Sequence, residues 1–324
     1  MTYASGGLIQ ATDYNGFVST TAGANVNDVW STGSGDKGWG QTALATVSAT
    51  NTVTATQWAS LVNTIASMGS QTGTTITSRT APTAGTTIGI LAALNTDLTN
   101  ITTNRNNAVA VGTQYTGWTG TNSKTAATSG ATWTITFTNT VTFASAAAAR
   151  YFFNAGGLIK LDVSKTGGVP SGQTGDPEWN DLATTLCGDI YFSGVAASHT
   201  IAGTAYTGTT KIGGTGTATT LSTSTGYYAL TPGAAATIIY KQFADTAPYT
   251  ANFIQHSVAL DATSAILTFT TLWSASDGDP ISGGTAASGA TPGTAPCTIC
   301  TYFPPSTTYL SNTWGTPTVA ATTV

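Results

Sequence analysis

Two different periods of apolar residues divide the chain. Between Thr54 and Met68, Trp58, Leu61, Val62, Ile65 and Met68 fall on one face at helical spacing. The stretch is expected to be a helix with one buried face, capped by Thr54 or Thr56. A turn-rich stretch, Gly69 to Gly85, follows. Thr87 to Ala108 is predicted to form a second helix, because Leu91, Leu94, Leu98 and Ile101 are spaced 3, 4 and 3 residues apart, the rhythm of a coiled-coil seam. Its Asn and Thr residues are weak helix formers, so it needs something to pack against. Two partners fit. Copies of the same helix would give an oligomer, a trimer for example. The preceding helix would give an ordinary two-helix packing within one chain.

From about Tyr115 the period becomes two. Thr132 to Phe143 alternates threonine with Trp133, Ile135, Phe137, Val141 and Phe143, interrupted at Thr138-Asn139-Thr140. This pattern predicts a β-hairpin turning at the interruption. Asn154-Ala155-Gly156-Gly157 is expected to be a turn between two strands, the second starting at Leu158. Asp176-Pro177-Glu178 reads as a helix start, with Asp176 as N-cap and Trp179, Leu182, Ala183 and Leu186 buried. Further strands are expected at 190–192, 235–243, 250–260 and 264–273, the last two joined by a turn at Asp261. Residues 276–308 are rich in Gly, Pro and Ser and read as a loop or extended arm. Tyr309 to Val324 is apolar enough to add a strand to a neighbouring sheet. Three regions result: a helical region at 1–112, a β-rich domain at 113–275, and a loop with a terminal strand at 276–324. The fold class is mainly β, with a β-sandwich-like larger part and a small helical amino-terminal part.

Composition sharpens this picture. Charged residues make up 7% of the 324, against roughly 25% in ordinary domains. Glu178 is the single glutamate. Threonine and serine must solvate the surface, and threonine favours strands. The 40% hydrophobic content, with 8 Trp, 12 Tyr and 10 Phe, excludes global disorder. There is no run of about 18 apolar residues, so no transmembrane helix is expected. The net charge of −4 with scattered basic residues gives no patch for nucleic acid. Met1-Thr-Tyr-Ala-Ser-Gly-Gly has neither the basic nor the apolar part of a secretory leader.

Candidate chemistry is sparse. Cys297-Thr-Ile-Cys300 lacks the two further ligands of a structural zinc site, and no cofactor is expected. His199 and His256 are expected on the surface or half-buried. Glu178 and Asp181 could mimic a carboxylate pair, although helix capping accounts for them. Asp277-Gly278-Asp279 reads as a turn rather than a calcium loop. Gly33 to Gly38 lacks the spacing of a phosphate loop, and no GxSxG occurs. The inventory points away from an enzyme. Trp30, Trp39, Trp118 and Trp314 stand among Gly and Thr. Aromatics in such surroundings pack between subunits or stack on sugars, so Trp39, Trp118 and Trp314 are the candidate glycan contacts. Leu91, Leu94, Leu98 and Ile101 are the candidate oligomer contacts.

Two stretches carry a resemblance. Asp13-Tyr14-Asn15 followed by Ser31-Thr32-Gly33-Ser34-Gly35-Asp36-Lys37-Gly38-Trp39-Gly40-Gln41 resembles the amino-terminal region of structural proteins from tailed phages of marine and freshwater cyanobacteria. Thr54 to Trp58 fits the same pattern. Arg150-Tyr-Phe-Phe-Asn154-Ala-Gly-Gly-Leu158-Ile159 resembles an R-x-F-F-N-x-G-G-x-I segment of that group, departing from it at Leu158. The likeness covers about the first half of the chain and stops near residue 195. It implies a virion protein of the tail, neck or fibre type, found in the extracellular particle, and no catalytic residues. The expected partners are further copies of the chain, other virion proteins and a host surface glycan. The competing expectations are a capsid decoration protein, a carbohydrate-binding receptor-recognition fibre and a secreted surface filament subunit. A polysaccharide depolymerase is the weakest of them.

Overall fold

The computed structural model describes residues 10–19, 24–85, 91–116, 123–125, 132–165, 175–247, 249–275, 294–296 and 299–323. Four helices come first: α1 (Ala11–Ser19), α2 (Val26–Trp30), α3 (Ala55–Thr72) and α4 (Leu91–Thr103). Strands β1 (Tyr115–Thr116), β2 (Ser123–Thr125) and β3 (Trp133–Thr142) lead to α5 (Ala146–Asn154) and β4 (Leu158–Asp162). Helix α6 (Gly175–Asp181) runs into a π-helical turn at Leu182–Leu186. Then follow β5 (Asp189–Phe192), β6 (His199–Ile201), β7 (Thr204–Tyr206), β8 (Thr209–Ile212) and β9 (Thr220–Leu221). The long strands β10 (Thr237–Phe243), β11 (Phe253–Leu260) and β12 (Ile266–Ala275) precede β13 (Thr294–Pro296), β14 (Ile299–Phe303) and β15 (Thr318–Thr323).

The chain is mainly β. One sheet orders its strands β1-β14-β4-β5-β8, and a larger one β15-β3-β12-β11-β10-β9. Every pairing in both is antiparallel. Period two decides what each strand buries. On β3, Ile135, Phe137, Asn139 and Val141 face inward, and the intervening threonines face outward. The inner faces share one core, where Phe192 of β5 meets Phe269 of β12 at 5.4 Å. Trp179 of α6 stacks on Trp273 at 5.7 Å. Helix α5 joins the sheets: Phe152 meets Phe143 and Tyr302, and Phe153 meets Phe192 and stacks on Tyr227. The same core continues through Trp58, Leu61 and Ile65 of α3 to Tyr302, Leu310 and Trp314.

Helix α3 starts as expected. Thr54 caps it, and Gln57 reaches back to the Thr54 N–H at 2.8 Å, completing a capping box. Tyr14 and Phe17 of α1 pack edge-on against Trp58.

Four expectations are corrected. Residues 132–143 form one unbroken strand rather than a hairpin, because Asn139 keeps the alternation and points inward among apolar residues. The threonines on either side are strand formers that outweigh the turn preference of one Asn. Tyr151–Asn154 is not a strand but the last turn of α5, which Ser145 caps by accepting from Ala148 N–H. The Ala146–Ala149 run supplies the strongest helix former. The reading of 276–308 as a loop or arm fails for Ile299–Phe303, which lies inside the five-stranded sheet between β1 and β4; 276–293 lies outside the described residues. His199 and His256 are buried, not surface groups. The terminal strand does form, and its neighbour is β3 of the same chain.

Candidate assembly surface

The motifs that carry the resemblance meet in space. Loop 31–38 turns through Gly33 and Gly38, both at positive φ. A Cβ on Gly38 would lie 2.2 Å from the Thr32 carbonyl oxygen, so only glycine closes the loop. Its carbonyls converge on α5. Asn154 Nδ2 donates to the carbonyls of Lys37 at 2.9 Å and Gly38 at 3.0 Å, while its Oδ1 accepts from Tyr228 OH at 2.6 Å. Arg150 donates to the carbonyls of Lys37, Thr32 and Gly35. Trp39 Nε1 donates to the Asn154 carbonyl at 3.0 Å. Arg105 pairs with Asp36, and Lys37 with Asp28 at 2.7 Å.

Side-chain amides do the same work elsewhere. Asn15 grips both the N–H and the C=O of Val47, each at 2.8 Å. Asn27 does so with Leu44 and Gln41 with Ser311, each bond at 2.9 Å. A side-chain amide presents one donor and one acceptor, as a strand neighbour would, so these residues satisfy backbone that has no sheet partner. Asn15, Gln41, Arg150 and Asn154 are all motif residues, and all four hold backbone in place.

The expected oligomer contacts are not available for that role. Leu94, Leu98 and Ile101 are buried in the chain's own core. Their rhythm records packing within the chain, where α4 lies against α3. The Leu91 side chain lies outside the described ones. The glycan contacts are corrected likewise: Trp39 and Trp314 are 1% and 2% exposed. Gly and Thr neighbours make room for the indoles to tuck inward instead of displaying them. Trp30 is half-buried and packs edge-on against Trp39. Trp118 lies outside the described residues. Trp314 does border a cleft of about 310 Å³ with Tyr302, Pro304 and Pro305.

Burial favours the uncharged form of both histidines and of the two described thiols. His256 is fully buried, stacks on Tyr240 at 5.5 Å and meets Thr271 Oγ1 at 2.9 Å; burial pushes its pKa down to about 3. Burial also lowers the pKa of His199. Burial raises the Cys187 and Cys300 thiols to about 12, far from a reactive thiolate. Cys297 lies outside the described residues. Glu178 and Asp181 of α6 come together with Asp245, their carboxylate oxygens within 4.8 Å of one another. These are the residues that could take a hard cation, and Glu178 also accepts from Thr246 N–H at 3.4 Å. Asp245 was not foreseeable from spacing, since it arrives from the far end of β10.

The outer face of the six-stranded sheet was not singled out by any motif. It carries Thr134, Thr136, Thr138, Thr140 and Thr142 on β3, Thr268 and Thr270 on β12, and Thr318 and Thr322 on β15. Register sets Thr140 against Thr268, Thr138 against Thr270 and Thr322, and Thr142 against Thr318. Leu272, Gln255, Phe253 and Phe243 extend the face towards β10. Its one charge among the described residues is Lys241, whose ammonium lies 3.6 Å from the Phe253 ring centre. Its signal in the sequence is the polar half of the strand alternation, which solvation of the surface also accounts for.

No family model, curated protein or solved structure matches this chain.

Proposed function

We propose that this chain is a structural subunit of a tailed-phage virion, belonging to the tail, neck or a fibre and acting by self-assembly. The observation that supports this best is the six-stranded sheet, which presents a threonine-lined outer face carrying, among the described residues, a single ammonium group, and whose strand order ends in the uncharged β15. Such a surface loses little on contact, because hydroxyls can bond to neighbours in place of water and the one ammonium already lies over the Phe253 ring. The phage assignment draws on the motif resemblance. The clamps at Asn15, Gln41, Arg150 and Asn154 give those motif positions a physical reason to recur together: they fix a fold. The partners in this reading are further copies of the chain and other virion proteins, in the extracellular particle.

Immunogold labelling of purified particles tests the reading. Label on the tail, neck or fibres is expected. Label confined to the head shell would favour a capsid decoration protein, and label on cellular filaments with none on particles would refute the phage role.

A further inference from the structure

We infer that the outer face of the six-stranded sheet packs against the same face of a second copy, stacking two sheets face to face about a two-fold axis. This rests on the assembly role proposed above and names its partner and its contact.

The two sheets treat their outer faces differently. On the five-stranded sheet, Leu158, Tyr191 and Phe303 pack with Ile201 and Tyr206 of the β6–β7 hairpin, and Lys160, Asp162 and Asp189 supply charge beside them. On the six-stranded sheet, Leu272, Phe253 and Phe243 point outward on β12, β11 and β10 and stay partly exposed. Phe243 and Phe253 meet at 5.3 Å, and Leu272 lies diagonally across from Phe253. The threonines of β3 and β12 continue the face, and they too are partly exposed. Threonine is explained by solvation; adjoining outward aromatic and aliphatic groups are not, and they mark a contact. Lys241 is the single charge of this part of the face among the described residues. Its ammonium lies 4.5 Å and 3.6 Å from the Phe243 and Phe253 ring centres, contacts that strengthen when water is removed.

The face is large enough. Strands β3 and β12 have ten residues each, and β3, β12, β11 and β10 lie side by side, giving about 33 Å by about 19 Å. That is about 600 Å² per copy and about 1,200 Å² for a pair, the lower bound of a specific, stable interface.

The chemistry selects a second copy as partner. A charged surface would lose hydration against hydroxyls and methyls that cannot replace it, whereas this face is itself hydroxyl-bearing, apolar and nearly free of charge. A two-fold axis running along the strands between β12 and β11 lays β10 of each copy over β3 of the other. Each ammonium then faces threonine hydroxyls able to accept from it. The two ammoniums stand at opposite ends of the contact, so no like charges meet. Phe253 and Phe243 lie over the threonine methyls of β12 and β3. Stacked sheets of this kind sit about 10 Å apart with their strands within about 30° of one another.

Sedimentation velocity of the full chain over a wide concentration range, with far-UV circular dichroism as the fold check, tests this. The wild type is expected to dimerise as concentration rises, equally at low and high salt, because no ion pair crosses the contact. Thr268→Lys/Thr270→Lys and Thr268→Glu/Thr270→Glu are each expected to remain monomeric, and an equal mixture of the two to re-associate. Leu272→Ser, which adds no charge, is expected to weaken the dimer by about tenfold or more, since each copy loses a leucine from the contact. Thr217→Lys, exposed between β8 and β9, is expected to behave as wild type. A wild type that stays monomeric, a folded lysine variant or Leu272→Ser that dimerises as wild type does, or a mixture that fails to re-associate overturns the stacked pair. So does a dimer lost in Thr217→Lys or at high salt, but those results leave the assembly role standing with another contact. Absence of label from particles removes the role without bearing on the face.

Discussion

Removing the Asn154 side chain should destabilise the protein more than its neutral, uncharged chemistry suggests. Asn154 is 1% exposed and central to the loop clamp. In Asn154→Ala the Gly38 carbonyl and the Tyr228 hydroxyl each lose the partner described above. The Lys37 carbonyl keeps Arg150 at 3.0 Å. An orphaned buried polar group costs about 1–3 kcal/mol. Two such groups give about 2–6 kcal/mol, with a small further loss from packing. For a chain of this size, at about 1.5 °C per kcal/mol, that corresponds to a fall in Tm of about 3–9 °C. Differential scanning calorimetry and urea midpoints measure it, and Trp39 fluorescence reports the loop directly, because its indole bonds the Asn154 carbonyl. Tyr228→Phe removes one of the two partners, so the double variant should cost about 1–2 kcal/mol less than the sum of the singles. A loss below about 0.5 kcal/mol for Asn154→Ala, a typical surface value, would refute the clamp as an energetic element.

Asn139 is fully buried between Phe269 and Ala321 with neither amide atom bonded. Asn139→Val is therefore expected to raise the urea midpoint, by about 1–3 kcal/mol in stability, and a lower midpoint would contradict this. Leu98→Ala should cost about 2–5 kcal/mol by thermal unfolding and leave the sedimentation behaviour unchanged, since Leu98 packs within the chain; dissociation of an oligomer without loss of stability would restore the coiled-coil reading. His256 stays neutral in the fold down to about pH 3, while the unfolded chain protonates near 6.5. Its contribution is thus complete above pH 6.5 and is lost as pH falls towards 3, at about 1.4 kcal/mol per pH unit. Stability measured from pH 7 to 4 should carry that slope, and His256→Gln should remove it.

The sequence by itself determined the elements whose signal is local. The capping box at Thr54 and Gln57, the amphipathic face of α3, the alternation of β3 and the turn at Asp261 all depend on residues a few positions apart. Asp261 accepts from the N–H groups of Thr263, Ala265 and Ile266, as a turn residue does. The poverty of charge and the mainly β class were legible for the same reason, being sums over residues.

Only the tertiary structure decided which surfaces are free. The seam of Leu94, Leu98 and Ile101 has the same spacing whether it meets another copy or α3, and burial chose α3. Trp39 and Trp314 sit among small polar residues in sequence and inside the core in space. Asn139 looked like a turn because its type favours one, but the register with β12 and β15 holds it in a strand. Glu178, Asp181 and Asp245 meet across 67 positions, counted from 178 to 245, and no spacing rule spans that distance. The place of β15 at the end of the strand order is likewise a property of the sheet. Six small uncharged residues form an edge only because the strand order places nothing beyond them among the described residues.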